Sequence, residues 1–210
     1  MDIIRFFPSV LAATPVKISK ANKKNIYNFA KTLEFMPLYK NVNDDKFIKD
    51  KNKSEVSKLN KVLKEDKLSF INGPLQMGLD HFNNQVMNWD CKPIIVNSWF
   101  HKIKPNQESE IINQSNSLLT GILFLDVEDK HPSLIFEKEM FGFNPNVKQF
   151  NEFNMTRACV NAKSDYFGII PSNIKFKFSC NRSNKTHYNL MFSTMPKGNL
   201  GYNTTELGLN

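Results

Sequence analysis

Apolar residues in the first half of the chain recur at helical spacing. In Lys20–Phe35, Ser54–Lys64 and Pro74–Trp89 they lie three and four positions apart, which places them on one face of a helix. Ser54 suits an N-cap and Pro74 suits a first helical turn, so we predict three helices over these segments. Before them, prolines and β-branched or aromatic residues in 3–16 predict an extended segment.

After Pro93 the pattern changes to short runs of Ile, Val, Phe and Tyr, separated by turns rich in Asn, Pro, Ser and Lys. Such runs are typical of β-strands. Helices followed by many strands predict an α+β fold, in which a sandwich or jelly roll carries the helices on one sheet. The seven predicted strands are Ile94–His101, Ser117–Asp126, Ser133–Glu137, Arg157–Asn161, Tyr166–Pro171, Ile174–Cys180 and His187–Ser193.

The composition indicates one globular domain. The 210 residues are 40% hydrophobic and include 18 Phe, which is enough for one core, and no long linker divides them. We predict a single domain over 1–210, with the extended segment and helices in 1–92 and the strands in 93–210. No apolar run approaches the roughly 20 residues that span a bilayer, and the N-terminus does not resemble a secretory signal, so we expect a soluble protein without membrane contact.

Most of the net charge of +8 lies in one stretch, 17–67, which has 14 Lys against 7 acidic residues. The stretch lacks the Arg and interleaved aromatic residues with which proteins recognise nucleic acid, so a solvated helical face is the simpler interpretation. Nucleic-acid binding that weakens steeply with salt stays an alternative. Cys91, Cys159 and Cys180 are odd in number and widely spaced, which predicts buried free thiols rather than disulfides or a metal site.

Several segments carry longer motifs. Asn116–Leu125 matches an Asn-Ser-x-x-Ser-Gly-Val-x-Tyr-x strand, and Ile170–Asn173 matches a Phe-Pro-Ser-Asn turn. Phe192–Gly201, followed by Thr205–Leu207, matches a closing Phe-Asn-Thr-Phe-Pro-Lys-Gly-x-Leu-Gly and Thr-Glu-Leu. In these segments the chain resembles the phage and marine-bacterial branch of the 2-oxoglutarate/iron(II) oxygenases. The resemblance implies a double-stranded β-helix, which is a jelly roll.

The resemblance also implies where iron and co-substrate are held in that family. Such enzymes bind iron(II) through two His and a carboxylate, and bind 2-oxoglutarate through an Arg. The matching positions here are Ile112, Gln114, Phe176 and His187, none of which keeps the family's residue. We therefore expect no catalytic residue, no metal site and no cofactor, and a protein that is not an enzyme.

The functional hypothesis that follows is a non-catalytic structural protein of a phage virion, in the capsid, neck or tail. It would be made in the host cytoplasm and would contact other virion proteins, or copies of itself in a symmetric ring. Contacts are expected from Phe141, Phe143 and Phe150 in one long loop and from Lys197 in the C-terminal tail. The alternative is an active 2-oxoglutarate/iron(II)-dependent dioxygenase, a hydroxylase, whose metal ligands the motifs do not reveal.

Overall fold

A computed structural model of the protein describes residues 11–38, 52–125, 127, 130–137, 148–149, 151, 154–200 and 207–209. Within these ranges the α-helices are α1 (Lys20–Thr32) and α2 (Ser69–Phe82), and a π-helical turn over Asn83–Met87 continues α2. None of the helices described is long and apolar enough to cross a membrane. The strands are β1 (Ala12–Pro15), β2 (Phe35–Pro37), β3 (Glu55–Ser57), β4 (Lys92–Ile103), β5 (Leu119–Phe124), β6 (Leu134–Glu137), β7 (Arg157–Val160), β8 (Tyr166–Pro171), β9 (Phe176–Phe178), β10 (His187–Leu200) and β11 (Leu207–Leu209).

The strands form two antiparallel sheets around a shared apolar core. The large sheet has the order β1-β8-β5-β10-β4-β3-β2, with β11 beside β10, and the small sheet has the order β7-β6-β9. Ile122 and Met191 of the large sheet pack with Leu134 and Phe176 of the small sheet. Two such sheets packed face to face form a jelly roll, so the predicted fold class is confirmed.

The helices cover the other face of the large sheet. Ile26 and Phe29 of α1 and Leu79 of α2 belong to one buried cluster with Leu190 and Phe192 of β10. Because side chains alternate along a strand, Met191 and Asn189 of β10 face the small sheet instead. This alternation determines which polar residues lie inside the jelly roll.

The first and third predicted helices are present with altered bounds. Helix α1 begins after Ser19, whose side chain accepts a hydrogen bond from the backbone N–H of Asn22 at 3.1 Å. Helix α2 begins at Ser69, so Pro74 lies in its second turn rather than its first. Residues N-terminal to Pro74 therefore supply the first turn.

The predicted helix Ser54–Lys64 is wrong. The segment forms strand β3 and a 3₁₀ turn over Val62–Lys64. Pairing of β3 with β4, in which Val56 lies opposite His101, overrides the local helical spacing. Strands β1, β2 and β3 thus bring part of residues 1–92 into the large sheet. The description of the chain as one domain, with its parts divided near residue 92, stays a prediction.

Candidate functional site

Two of the positions that the resemblance assigns to iron lie side by side in the jelly roll, and both are apolar. The backbone N–H of Ile112 donates to the carbonyl of Phe176 at 2.7 Å, and the N–H of Phe176 donates back at 3.2 Å. Both side chains are buried between the sheets. Gln114 is half-buried two residues further on. The side chains of Ile112 and Phe176 have no lone pair to donate to a metal, so these two positions do not fit iron(II).

The fourth predicted position, His187, lies next to another histidine. His187 begins β10 and is buried, and its ring centroid is 4.3 Å from that of His131. His131 lies in the connection between β5 and β6. His131-Pro132 resembles part of the family's His-x-His-Pro motif, but it follows the strand Asn116–Leu125 instead of preceding it, so the order of the motifs predicts no metal role for His131.

The hydrogen bonds of His131 fix its tautomer. Its Nδ1 lies 2.9 Å from the carbonyl oxygen of Pro132, and because a carbonyl only accepts, Nδ1 carries the proton. Its Nε2 is then left with a lone pair that is buried and has no hydrogen-bond partner. Burial, and then repulsion from His187, lowers the pKa of His131 to about 4, so the ring is neutral at pH 7. A neutral imidazole held by a backbone carbonyl is the form in which histidine binds metals.

A buried asparagine holds His187 in place. The side-chain amide of Asn181 donates to the carbonyls of Ile103 at 3.0 Å and Lys185 at 2.8 Å. Its oxygen accepts from the hydroxyl of Ser183 at 2.7 Å, and that hydroxyl oxygen lies 2.7 Å from Nε2 of His187. The hydroxyl of Ser183 therefore links the buried amide of Asn181 to the imidazole of His187 and fixes the orientation of that ring.

Two further polar side chains lie on the same inner face of the large sheet. His101 and Asn189 are opposite each other on β4 and β10, and both are fully buried. Nε2 of His101 is 2.7 Å from the hydroxyl oxygen of Ser54, and burial lowers the pKa of His101 to about 3. Its Nδ1, and both amide atoms of Asn189, have no hydrogen-bond partner.

We call His101, Asn189, His187 and His131 the interior polar row. A buried polar group without a partner destabilises a fold by about 1–3 kcal/mol, and native proteins keep few of them. The row has four such atoms, one on His131, one on His101 and two on Asn189. Their concentration inside the jelly roll marks this region as a candidate site for a polar ligand or a metal ion.

The row places the imidazoles of His131 and His187 side by side. The described part of the chain contains no group of three or more His, Cys, Asp or Glu that could hold a metal ion, so the described residues alone do not complete an iron(II) site. The side chains of the row are amide and imidazole groups, and none is a guanidinium that could form an ion pair with the carboxylate of 2-oxoglutarate. A co-substrate carboxylate there would be held by hydrogen bonds without an ion pair.

The remaining predicted positions lie elsewhere. Phe141, Phe143 and Phe150 fall outside the described residues, and Lys197 is exposed on β10, opposite Lys92. Their roles in partner contacts stay predictions.

The three cysteines are free thiols, as predicted, but of the three only Cys91 is buried. Cys159 is exposed because it alternates with inward-facing residues of β7, and Cys180 is half-buried.

Comparison with solved structures identifies the fold. The epimerase SnoN from nogalamycin biosynthesis matches with a TM-score of 0.61 and 9% identity, over 89% of this chain and 78% of that one. A prolyl-4-hydroxylase of Pseudomonas putida matches with a TM-score of 0.57 and 6% identity, over 89% and 94% of the two chains. The fold is that of the 2-oxoglutarate/iron(II) oxygenases. At such identities the likeness shows the fold alone.

A third neighbour of this fold is viral. The collagen prolyl hydroxylase of Paramecium Bursaria Chlorella virus-1 matches with a TM-score of 0.54 and 10% identity, over 88% of this chain and 94% of that one. Neither the protein-family models nor the curated proteins give a match to the sequence.

These comparisons correct the prediction that the chain is not an enzyme. Hydroxylases and an epimerase are among the solved structures that share this fold, and they contradict the prediction. It rested on the residues at a few family positions, such as Ile112 and Phe176, whereas the structure brings two imidazoles together elsewhere in the interior. Neither the phage branch nor a virion role is supported by these neighbours.

Proposed function

We propose that the chain is an enzyme of the 2-oxoglutarate/iron(II)-dependent oxygenase type, a hydroxylase, whose metal-binding side chains are His131 and His187. The observation that carries this proposal is the buried, unpartnered Nε2 of His131 beside the ring of His187. When bound, iron(II) and 2-oxoglutarate would supply the chemistry that activates dioxygen, which is the oxidant. The fold shared with oxygenases supports the same class.

The chain's own residues prepare this centre. The carbonyl of Pro132 fixes the tautomer of His131, and the hydroxyl of Ser183 orients His187. The edge of Phe124 packs against His131 with ring centroids 5.9 Å apart, which helps to keep water from that ring. The amide of Asn189 adds one donor group and one acceptor for a bound carbonyl or carboxylate.

Calorimetric titration of the metal-free protein with iron(II) under anaerobic conditions, and with manganese(II), tests the metal assignment. We expect one binding site per chain in the wild type. His131→Ala and His187→Ala should each weaken binding by at least about tenfold, since each variant removes one nitrogen ligand.

The matched control is His81→Ala, because His81 is an exposed histidine on α2, away from the row. It should bind the metal like the wild type, and thermal melting should show that all three variants are folded. Absence of metal binding in the wild type, or equal affinity in the His131, His187 and His81 variants, would refute the assignment.

A further inference from the structure

A groove on the outer side of the small sheet has an excess of positive charge. Its volume is about 400 Å³, and the cationic residues that line it are Lys130, Arg157, Lys177 and Arg182. We call it the basic groove. In the sequence the positive charge is densest in the stretch 17–67 instead, because the residues that line the groove come from four separate parts of the chain.

Strand alternation explains why cations collect here. Phe176 and Phe178 of β9 point into the core between the sheets, so Lys177 between them points outward. On β7, Val160 packs against the same core, and Arg157 has the opposite orientation. Loops at the edge of the small sheet add Lys130 and Arg182.

Carboxylates neutralise only part of this charge. Glu137 lies 3.3 Å from Nζ of Lys177 and 3.9 Å from Nε of Arg157, so one carboxylate is shared by two cations. Glu108, which also lines the groove, lies 2.8 Å from Nζ of Lys53. Among the residues that the structure describes, no carboxylate pairs with Lys130 or Arg182. Because Glu108 is already paired with Lys53, and Glu137 is shared by Lys177 and Arg157, the groove keeps an excess of positive charge.

The donor groups of the groove suit an oxyanion. Guanidinium groups present parallel N–H donors that match the oxygens of a phosphate, and ammonium groups add charge. The hydroxyl of Ser179, which also lines the groove, accepts from the N–H of Ser133 at 2.9 Å and so keeps its own proton to donate. The volume falls within the range of small-molecule sites, about 300–1,000 Å³.

We propose that the basic groove binds the phosphoryl group of a small molecule. The excess of positive charge favours binding of a dianionic phosphate. His131 lines the groove and also contacts His187, so the groove borders the interior polar row. We therefore infer that the molecule bound in the groove is a phosphorylated substrate of the site in the row. That it is a substrate rests on the proposed function, whereas binding of phosphate in the groove does not.

The test is a titration of the metal-free protein, without 2-oxoglutarate, with inorganic phosphate and then with phenyl phosphate, followed by NMR chemical shifts at two salt concentrations. We expect saturable binding of both probes. Arg182→Glu should weaken it by at least about tenfold, because the variant replaces a donor by a like charge. Arg182 is exposed, so the substitution leaves the core intact.

The matched control is Lys17→Glu, which changes the net charge equally at an exposed position before α1. Lys17→Glu should bind phosphate like the wild type. The proposal is overturned if the wild type shows no saturable shift, or if both variants weaken binding equally, since binding would then follow general surface charge. Because iron(II) is absent from this experiment, its failure would leave the metal titration of His131 and His187 unaffected.

Discussion

His101 combines full burial with a hydrogen bond on one ring nitrogen and none on the other. Burial lowers its pKa to about 3, and the pKa of His131 is lowered to about 4, against about 6.5 in an unfolded chain. Between about pH 6.5 and 4 the unfolded chain therefore binds protons that the folded chain does not. Stability falls as the pH is lowered through this window.

We predict that the free energy of unfolding, measured with urea at pH 7 and pH 4.5, decreases at the lower pH. His101→Gln should show a smaller decrease than the wild type because one of the two buried imidazoles is gone. His81→Gln, at an exposed position, should keep the wild-type decrease. An unchanged pH dependence in His101→Gln would show that this imidazole does not titrate differently on unfolding.

At the scale of single residues, the sequence motifs indicated which positions to compare with the family, but not which side chains contact each other in the fold. The motifs led to Ile112, Phe176 and His187, and the first two do meet in the structure. His131 could not be found from the sequence because its contact with His187 depends on how two loops at the end of the jelly roll fold. The one local signal, the partial His-Pro match at His131-Pro132, stands on the wrong side of the strand Asn116–Leu125 for the family's motif.

At the scale of elements, close packing of strands β5 and β10 depends on a glycine. Gly121 lies opposite Phe192, and a Cβ at position 121 would overlap the Phe192 ring. Gly121→Ala should therefore lower the free energy of unfolding in urea by about 1–3 kcal/mol, as overpacked cores do.

Gly73→Ala is the control for this change. Gly73 lies in α2, and apart from its chain neighbours and the backbone of its own helix no atom lies within 4 Å of an added Cβ. Alanine there should change stability by less than about 1 kcal/mol, since its higher helix propensity is opposed by the ring of Pro74, which crowds a Cβ on the preceding residue. A larger loss in Gly73→Ala, or none in Gly121→Ala, would contradict the packing described here.

The elements also show where sequence periodicity fails. Helix α1 was predicted because its apolar residues face a neighbouring cluster at regular spacing. Segment 54–64 has similar spacing, yet the hydroxyl of Ser57 accepts from the N–H of Phe100 at 3.0 Å and that of Ser98 accepts from the N–H of Leu63 at 2.9 Å. These long-range bonds tie the segment to β4, and a local pattern cannot reveal them.

At the scale of the whole molecule, alternating runs of β-branched and aromatic residues predicted the jelly roll. The core between the sheets follows from that alternation, with Ile122 and Met191 pointing inward. The polar row does not follow from it, since His101 and Asn189 occupy inward positions where apolar residues would be more stable. Such departures from an apolar interior are expected where a protein binds a ligand.

If His131 and His187 hold iron(II), the protein should turn over 2-oxoglutarate, and this is tested by measuring succinate release from 2-oxoglutarate in the presence of iron(II) and oxygen. We expect succinate release by the wild type and by His81→Ala, and a loss of at least about tenfold in His131→Ala. No succinate from the wild type with both additions, or equal release from His131→Ala, would contradict this assignment.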